Sequence, residues 1–501
     1  MIPLSLAEIA KAVGGRLHNT DGSPVVTGSV EFDSRQLTAG GLFVALPGEK
    51  VDGHDFAAKA VTSGAAGVLA AREVDAPAVI VPPVSEAHHG SVALTGDTDG
   101  SGAAVLAALA ALARHVVDRL AAEAELAVVG VTGSSGKTST KDLIAQVLGP
   151  MGPTVAPPGS FNNELGHPWT ALRSDADTRF LVLELSARGV GHIAQLCHVA
   201  PPRIGVVLNV GSAHLGEFGS REEIARTKGE LVEELPAEGV AVLNADDPLV
   251  AAMAARTKAK VVLVGQSREA DVRAENVELD EQARARFLLV TPHGSAEVAL
   301  GLHGEHHVGN ALSAAAVALE LGATVEDVAK RLSDAQRVSQ RRMEVTTRAD
   351  GVTVVNDSYN ANPESMRAAL KTLAAMTRGH GAQPPGGVAD ATQPRRGWAV
   401  LGVMGELGDD HIAAHDGIGR YAVRLDVSRL VVVGEQAAPM HQGAYLEGSW
   451  GEESVLVPDV DAAIELLRDQ VRPGDVVLVK ASKVAGLWRV ADALLGQEAG
   501  Q

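Results

Sequence analysis

Apolar residues along the chain fall into two alternating kinds of run. Short, continuously apolar stretches recur at residues 126–131, 180–185, 204–208, 240–243 and 260–264. Between most of them lie longer stretches with apolar residues at helical spacing. A run that is apolar at every position suits a strand buried on both faces, so the alternation predicts a parallel sheet wrapped by helices. A helix is expected over 308–321. A second pattern of the same kind begins near 340, with strands at 352–356, 398–403, 430–433 and 475–479. The first hundred residues are less regular, with strand-like runs at 25–32, 42–46 and 78–81 among helices and turns.

The breaks between these patterns suggest domains. "HHGSVALTGDTDGSG" (88–102) is polar and glycine-rich, as a surface loop near a boundary would be. An Ala/Leu-rich helix over about 103–120 follows it. "RLSDAQRVSQRRMEV" (331–345) reads as a hinge, with the pivot at 333–340 and a mobile C-terminal domain beyond it. "GHGAQPPGGVADATQPRRG" (379–397) reads as a flexible surface insertion. The expected division is therefore three α/β domains, 1–100, 101–337 and 338–501, in keeping with a length of 501 residues.

Composition narrows the partners. Hydrophobic content of 46% and charged content of 21% are those of a folded globular chain, and aromatics at 3% leave the cores to aliphatic side chains and alanine. The formal charge of −19, with no cluster of Lys and Arg, speaks against nucleic acid. Ser5 and Glu8 form a capping-box pattern at the N-terminus, where a leader would need a basic region followed by an apolar core. No apolar run is long enough for a membrane span. Cys197 is the single cysteine, read as a buried inert thiol, so a reducing cytoplasmic compartment is expected.

The chemistry starts at "VVGVTGSSGKTSTKDL" (128–143), a strand running into a glycine-rich turn and then a helix. Counting back from Gly136, Gly130 lies one residue too far for the familiar phosphate-loop spacing, so the pattern is T-G-x-x-G-K-T. Its physics is unchanged. Glycines let backbone N–H groups converge on phosphate oxygens, and the helix that follows turns its positive end toward them. Lys137 would neutralise the β and γ phosphates, and the Thr138 hydroxyl would ligate Mg²⁺. Leu143, Ile144, Val147 and Leu148 mark the buried face of that helix, which should end at Gly149-Pro150. Glu184 closes the apolar run of "RFLVLELS" and is placed to hold the same metal. These features alone allow a switch, a motor, a kinase or a bond-forming enzyme.

Further stretches point to one of these. "NVGSAHLGEFGSREEIARTKGEL" (209–231), "LHGEHHVGNALSAA" (302–315) and "NDSYNANPESM" (356–366), with "DSR" (33–35), "FNNELGHP" (161–168) and "PGDVVLVKASK" (473–483), closely resemble the Mur ligases. These are ATP-dependent amide-forming enzymes of peptidoglycan synthesis, which serves cell-wall biogenesis, cell shape and division. "NDSYNANPESM" selects the branch that adds D-alanyl-D-alanine to UDP-N-acetylmuramoyl-tripeptide. The resemblance implies an N-terminal UDP-substrate domain, a central P-loop ATPase-like parallel sheet and a C-terminal Rossmann-like domain, working as a monomer on small molecules. It places ATP phosphates on Gly133, Ser134, Ser135, Gly136, Lys137, Thr138 and Ser139, and gives Asn310, Arg342 and Asp357 to the rest of the nucleotide. Mg²⁺ would be held by Thr138, Glu184, His214 and Lys228, the last as a carbamylated lysine; Lys137, Lys228 and His214 would serve catalysis. Ser34 and Arg35 would touch the UDP moiety, while Asn162, Asn163, Asn360 and Asn362 would face the reacting groups. Two departures stand out: His307 replaces a common Asn, and Val403 stands where an acid is common. The remaining readings are another amide ligase of the same superfamily, acting on folate or a different peptide, and a nucleotide-dependent switch.

Overall fold

The structure, a computed structural model, describes residues 1–48, 51–84, 97–212, 215–378, 395–448 and 451–496. Helix Leu6–Val13 begins where the capping box requires. The Ser5 hydroxyl accepts from Glu8 N at 3.2 Å, and Glu8 Oε2 accepts from Ser5 N at 2.8 Å. Ser5→Ala is expected to destabilise this helix by about 1 kcal/mol, read as faster amide exchange in its first turn; unchanged exchange would refute the cap. Five short strands form the N-terminal sheet in the order Arg16–His18, Ala78–Ile80, Gly67–Ala70, Leu42–Val44, Val30–Glu31, antiparallel only at Arg16–His18.

Helix Ser101–Glu123 joins this sheet to the next. Its face Val105, Leu109, Leu112 and Val116 is buried in one core with Leu4, Leu6 and Leu69 on one side and Leu181, Leu196 and Leu231 on the other. Trp169 adds a second tie, its indole N–H donating to Val30 O at 2.9 Å.

The central sheet has nine strands, ordered Gly294–His303, Arg284–Thr291, Val272–Leu279, Lys260–Gly265, Val240–Asn244, Ile204–Val207, Ala127–Thr132, Phe180–Glu184, Thr154–Val155. The expected parallel arrangement holds from Val272–Leu279, which joins Lys260–Gly265 in parallel over two residues, to Thr154–Val155. It fails beyond, where Arg284–Thr291 pairs antiparallel with both Val272–Leu279 and Gly294–His303. One face of this meander meets the core through Phe287, Leu289 and Val298, while Arg286 and Glu297 face outward. Such strands alternate instead of running apolar, so a search for continuous runs passes over them.

The C-terminal sheet runs Glu344–Thr347, Thr353–Asn356, Val476–Lys480, Gly397–Leu401, Arg429–Val433, Ser454–Val457, parallel except for its first hairpin. The expected insertion at 379–397 falls mostly outside the described residues, as does most of the loop at 88–102.

The stretch read as a hinge is fastened over most of its length. Ala299 N donates to Ser333 Oγ at 3.1 Å, Gln336 and Gln146 exchange two bonds of 2.9 Å, and Ser339 Oγ donates to Asp142 Oδ2 at 2.6 Å. Left-handed backbone at Arg341 (φ 57°) and Met343 (φ 45°) follows immediately.

Candidate active site

Strand Ala127–Thr132 is fully buried between Phe180–Glu184 and Ile204–Val207, and its carboxyl end delivers the glycine turn. Gly136 has φ +82°, and a Cβ there would lie 2.9 Å from Asn310 Oδ1. Both its conformation and its space exclude a side chain. Helix Lys137–Leu148 starts directly after it, buries Leu143, Ile144, Val147 and Leu148, and stops at Gly149 as expected. Lys137 Nζ folds back to donate to Gly133 O at 2.6 Å. Burial lowers the pKa of this amine; the charges of Glu184 and Glu406 act in the opposite direction, and Arg342 adds to the lowering.

Glu184 sits beneath the turn with no exposed surface. Its Oε2 accepts from Ser160 Oγ at 3.1 Å and Asn162 Nδ2 at 3.2 Å. Its Oε1 is buried with no hydrogen-bond partner among the described residues. Asn162 and Asn163 face the open side of the same loop, and Asn163 Oδ1 accepts from Gly166 N at 2.9 Å. Lys228, on helix Arg221–Glu233, is buried, and desolvation followed by repulsion from Lys137 pushes its pKa well below the usual lysine value. His214 lies outside the described residues.

The C-terminal unit closes the site from the opposite side. Arg342 Nη2 donates to Thr138 Oγ1 at 3.2 Å, and its guanidinium stacks 4.1 Å over Tyr359. Asp357 Oδ1 accepts from Met343 N at 3.0 Å, and its Oδ2 accepts from the buried Lys480 Nζ at 2.5 Å. Lys480 also donates to Asn360 O at 3.0 Å, which fixes the turn carrying the asparagines. Asn362 Nδ2 reaches Ser134 O at 3.2 Å. Asn310 Nδ2 lies 3.3 Å from His307 Nδ1, and burial pushes the His307 ring far below its usual range. His307 thus stays neutral and supports Asn310.

The two sides enclose a cavity of about 1380 Å³ lined by Ser134 to Ser139, Asn162, Asn163, Asn310, Arg342, Asp357, Asn360 and Asn362. The structure brings all of these expected residues together. Ser34 and Arg35 are not on its wall; Arg35 chelates Asp33 through Nε at 2.9 Å and Nη2 at 2.8 Å, with its side chain 84% exposed.

Two residues of the site went unnoticed in the sequence. Lys480 ends the apolar strand Val476–Lys480 just as Glu184 ends Phe180–Glu184, and that shared signal would have found it. Glu364 resembles an ordinary first-turn acid of helix Pro363–Arg378, yet its Oε1 accepts from Ser212 N at 2.9 Å and Ser212 Oγ at 3.0 Å across the two units.

A phosphate loop closed over by a second α/β unit, with a buried acid and a buried lysine of lowered pKa near it, defines the class of nucleotide-driven ligases. Family models agree in detail. The Mur ligase middle domain matches residues 131–318, the Mur ligase glutamate ligase domain 341–383 and 386–483, and the Mur ligase family catalytic domain 27–116. The chain belongs to the Mur ligase family. It is 58% identical over 517 residues to the UDP-N-acetylmuramoyl-tripeptide–D-alanyl-D-alanine ligase of Mycobacterium tuberculosis (strain ATCC 25618 / H37Rv), covering 99% of each. To the enzyme of that name from Escherichia coli (strain K12) it is 32% identical, with 99% of each covered. Its fold matches a MurF structure from Acinetobacter baumannii with TM-score 0.81 at 30% identity over 99% of each chain. It also matches MurF from Thermotoga maritima in complex with ADP, with TM-score 0.74 at 28% identity over 94% of this chain and 98% of that one.

Proposed function

We infer that the chain joins D-alanyl-D-alanine to UDP-N-acetylmuramoyl-tripeptide with consumption of ATP, in peptidoglycan precursor synthesis. Full-length identity of 56–58% to enzymes named for this reaction carries the reading. A carboxylate resists an amine because oxide is too poor a leaving group. Transfer of the γ-phosphoryl group to the tripeptide carboxylate gives ADP and an acyl phosphate. The dipeptide amine then adds to the acyl carbon, the C–O bond to phosphate breaks, and the nitrogen sheds its extra protons to leave the amide and phosphate. The protein contributes position and charge.

Lys137 is the cation for the transferring phosphoryl group, and Arg342 meets the nucleotide from the C-terminal side. Asn310 and Asp357 flank the rest of the nucleotide, while Asn162, Asn163, Asn360 and Asn362 face the reacting groups. Closure of the C-terminal unit over the loop also keeps water from the acyl phosphate.

Mg²⁺ fits the donors present. The orphaned Glu184 Oε1 and the Thr138 hydroxyl are hard oxygens beside the loop, and Mg²⁺ needs few protein ligands because it keeps waters and phosphate oxygens. Among the described residues no three His, Cys, Asp or Glu side chains form a preformed cluster. Lys228 would add an oxygen donor as its carbamate, and His214 is a further ligand in this reading. When bound, the ion supplies neutralising charge for the phosphates.

Ser34 and Arg35 are assigned to the UDP end of the long substrate, beyond the cavity. The domains are read as 1–100, 101–337 and 338–501, each of which carries one main sheet. The enzyme is further read as a cytoplasmic monomer; no described helix is long and apolar enough to cross a membrane. The test is ATP consumption by the purified chain, expected in proportion to product only when both tripeptide and dipeptide are present. Equal turnover without the dipeptide would favour a nucleotide switch and sink the ligase reading.

A further inference from the structure

The long substrate of the ligase reading is gripped at one end and reacts at the other. Its UDP end is assigned to Ser34 and Arg35, outside the cavity, while its carboxylate must reach Asn162 and Asn163 beside Glu184. The two segments belong to different sheets, and alignment at one end is useful only if the other is held in register with it. Trp169 touches both.

Trp169 stands on helix Gly166–Ala171 and is 7% exposed. Its indole N–H donates to Val30 O at 2.9 Å and to Glu31 Oε2 at 3.2 Å, on the last strand of the N-terminal sheet. Its ring meets Phe32 edge-on, with centroids 6.0 Å apart, and Asp33, Ser34 and Arg35 follow Phe32 in the chain. On the other side of the junction the same ring packs against Phe161 at 4.8 Å, and Asn162 and Asn163 follow Phe161. Tryptophan suits the place, because it joins a large packing surface to one hydrogen-bond donor.

The path from the ring to the reacting groups has little slack. A Cβ on Gly166 would lie 2.7 Å from Phe161 Cβ and 2.8 Å from its Cα, so the helix and the loop are in direct contact. Asn163 Oδ1 accepts from Gly166 N at 2.9 Å, and Asn163 O accepts from His167 N at 2.9 Å. Asn162 O accepts from Ser186 N at 3.0 Å, and Asn162 Nδ2 donates to Glu184 Oε2 at 3.2 Å. Close-packed interiors transmit strain, so a shift of the indole is passed on to these asparagines.

We propose that Trp169 is a positioning residue that holds the UDP-gripping segment in register with the loop of Asn162 and Asn163, so that the grip on UDP places the tripeptide carboxylate for phosphoryl transfer. The inference rests on the ligase reading and on the placement of UDP at Ser34 and Arg35. Binding energy from a remote part of a substrate raises kcat only when it is realised in alignment at the reacting centre. A grip that has lost its register still binds and no longer aligns.

The test gives the full chain two acceptors, UDP-N-acetylmuramoyl-tripeptide and N-acetylmuramoyl-tripeptide, which lacks the handle. In Trp169→Leu, kcat with the UDP substrate should fall by about tenfold to a hundredfold, the scale of an ångström's misplacement. The KM for that substrate, and turnover of the one without a handle, should stay within about twofold of wild type. Trp169→Phe, which keeps a ring between Phe32 and Phe161, should hold kcat within about threefold. Phe32→Leu breaks the same path at a half-buried position, spares the fold, and should show the same selective loss. Equal losses on both acceptors, or no loss on either, overturn the proposal and leave Trp169 as packing. Arg35→Ala with an unchanged KM for the UDP substrate overturns the placement of UDP, and the proposal with it. Wild-type chain that forms no amide from ATP, UDP substrate and dipeptide overturns the ligase reading itself.

Discussion

Lys137→Ala lowers kcat by about a thousandfold, the scale of losing a preorganised charge at the reacting group, and leaves the fold standing. The amine sits at the first position of helix Lys137–Leu148, and among the described residues its one hydrogen bond is to Gly133 O, within the same turn. Burial lowers its pKa, so the unfolded chain holds this proton more tightly than the folded one near neutral pH. Removing the amine therefore removes an unfavourable desolvation, and the variant should melt no lower than wild type. The measurement pairs ATP consumption, with both acceptor substrates present, against a thermal melt. Activity within about tenfold of wild type would refute the role, and a collapse of the melt would show that the loop needs the amine for structure.

What the sequence disclosed was local. The phosphate loop, Glu184 at its strand end and the capping box each declare themselves within a few residues, because each is a pattern of neighbouring positions at a strand end, a turn or a helix start. The parallel strands were legible because burial on both faces forces an unbroken apolar run. The antiparallel meander from Val272 to His303 was not, since its strands alternate and carry charges such as Arg286 and Glu297 on the outer face. Long-range contacts escaped for a related reason. Glu364 meets Ser212 and Ser339 meets Asp142 only after folding, and nothing near either in the chain marks the encounter. His307 looked like a departure that could weaken the nucleotide site, yet buried and neutral it steadies Asn310. Resemblance supplied the roles of Asn310, Arg342 and Asp357; the structure adds only that they line one cavity with the phosphate loop.

Lys228 yields the other large effect, with two signatures that separate chemistry from folding. Carbon dioxide adds only to a neutral amine, forming a carbamate and releasing a proton. Lys228 is buried, and desolvation together with repulsion from Lys137 lowers its pKa, so the fold favours the neutral form. Carbamylation would turn a neighbour that repels Lys137 into an anion that attracts it, and would provide an oxygen donor. Lys228→Met, which keeps the apolar stem, should lower kcat by about a hundredfold to a thousandfold. Stability moves the other way. Below about pH 10.4, the ordinary lysine value, the unfolded chain holds the proton at this position more tightly than the folded, unmodified chain does. Wild-type stability therefore rises with pH toward that value. Without bicarbonate, the methionine variant should melt higher than wild type, by most near pH 7 and by less near pH 9. Adding bicarbonate should raise both activity and melting temperature of wild type and leave the variant unmoved. A wild-type enzyme indifferent to bicarbonate in both readouts, with no carbamate carbon visible by ¹³C NMR, would remove Lys228 from the metal site. The methionine variant would then lose activity only through packing, and its gain in stability would be the sole surviving consequence of the buried amine.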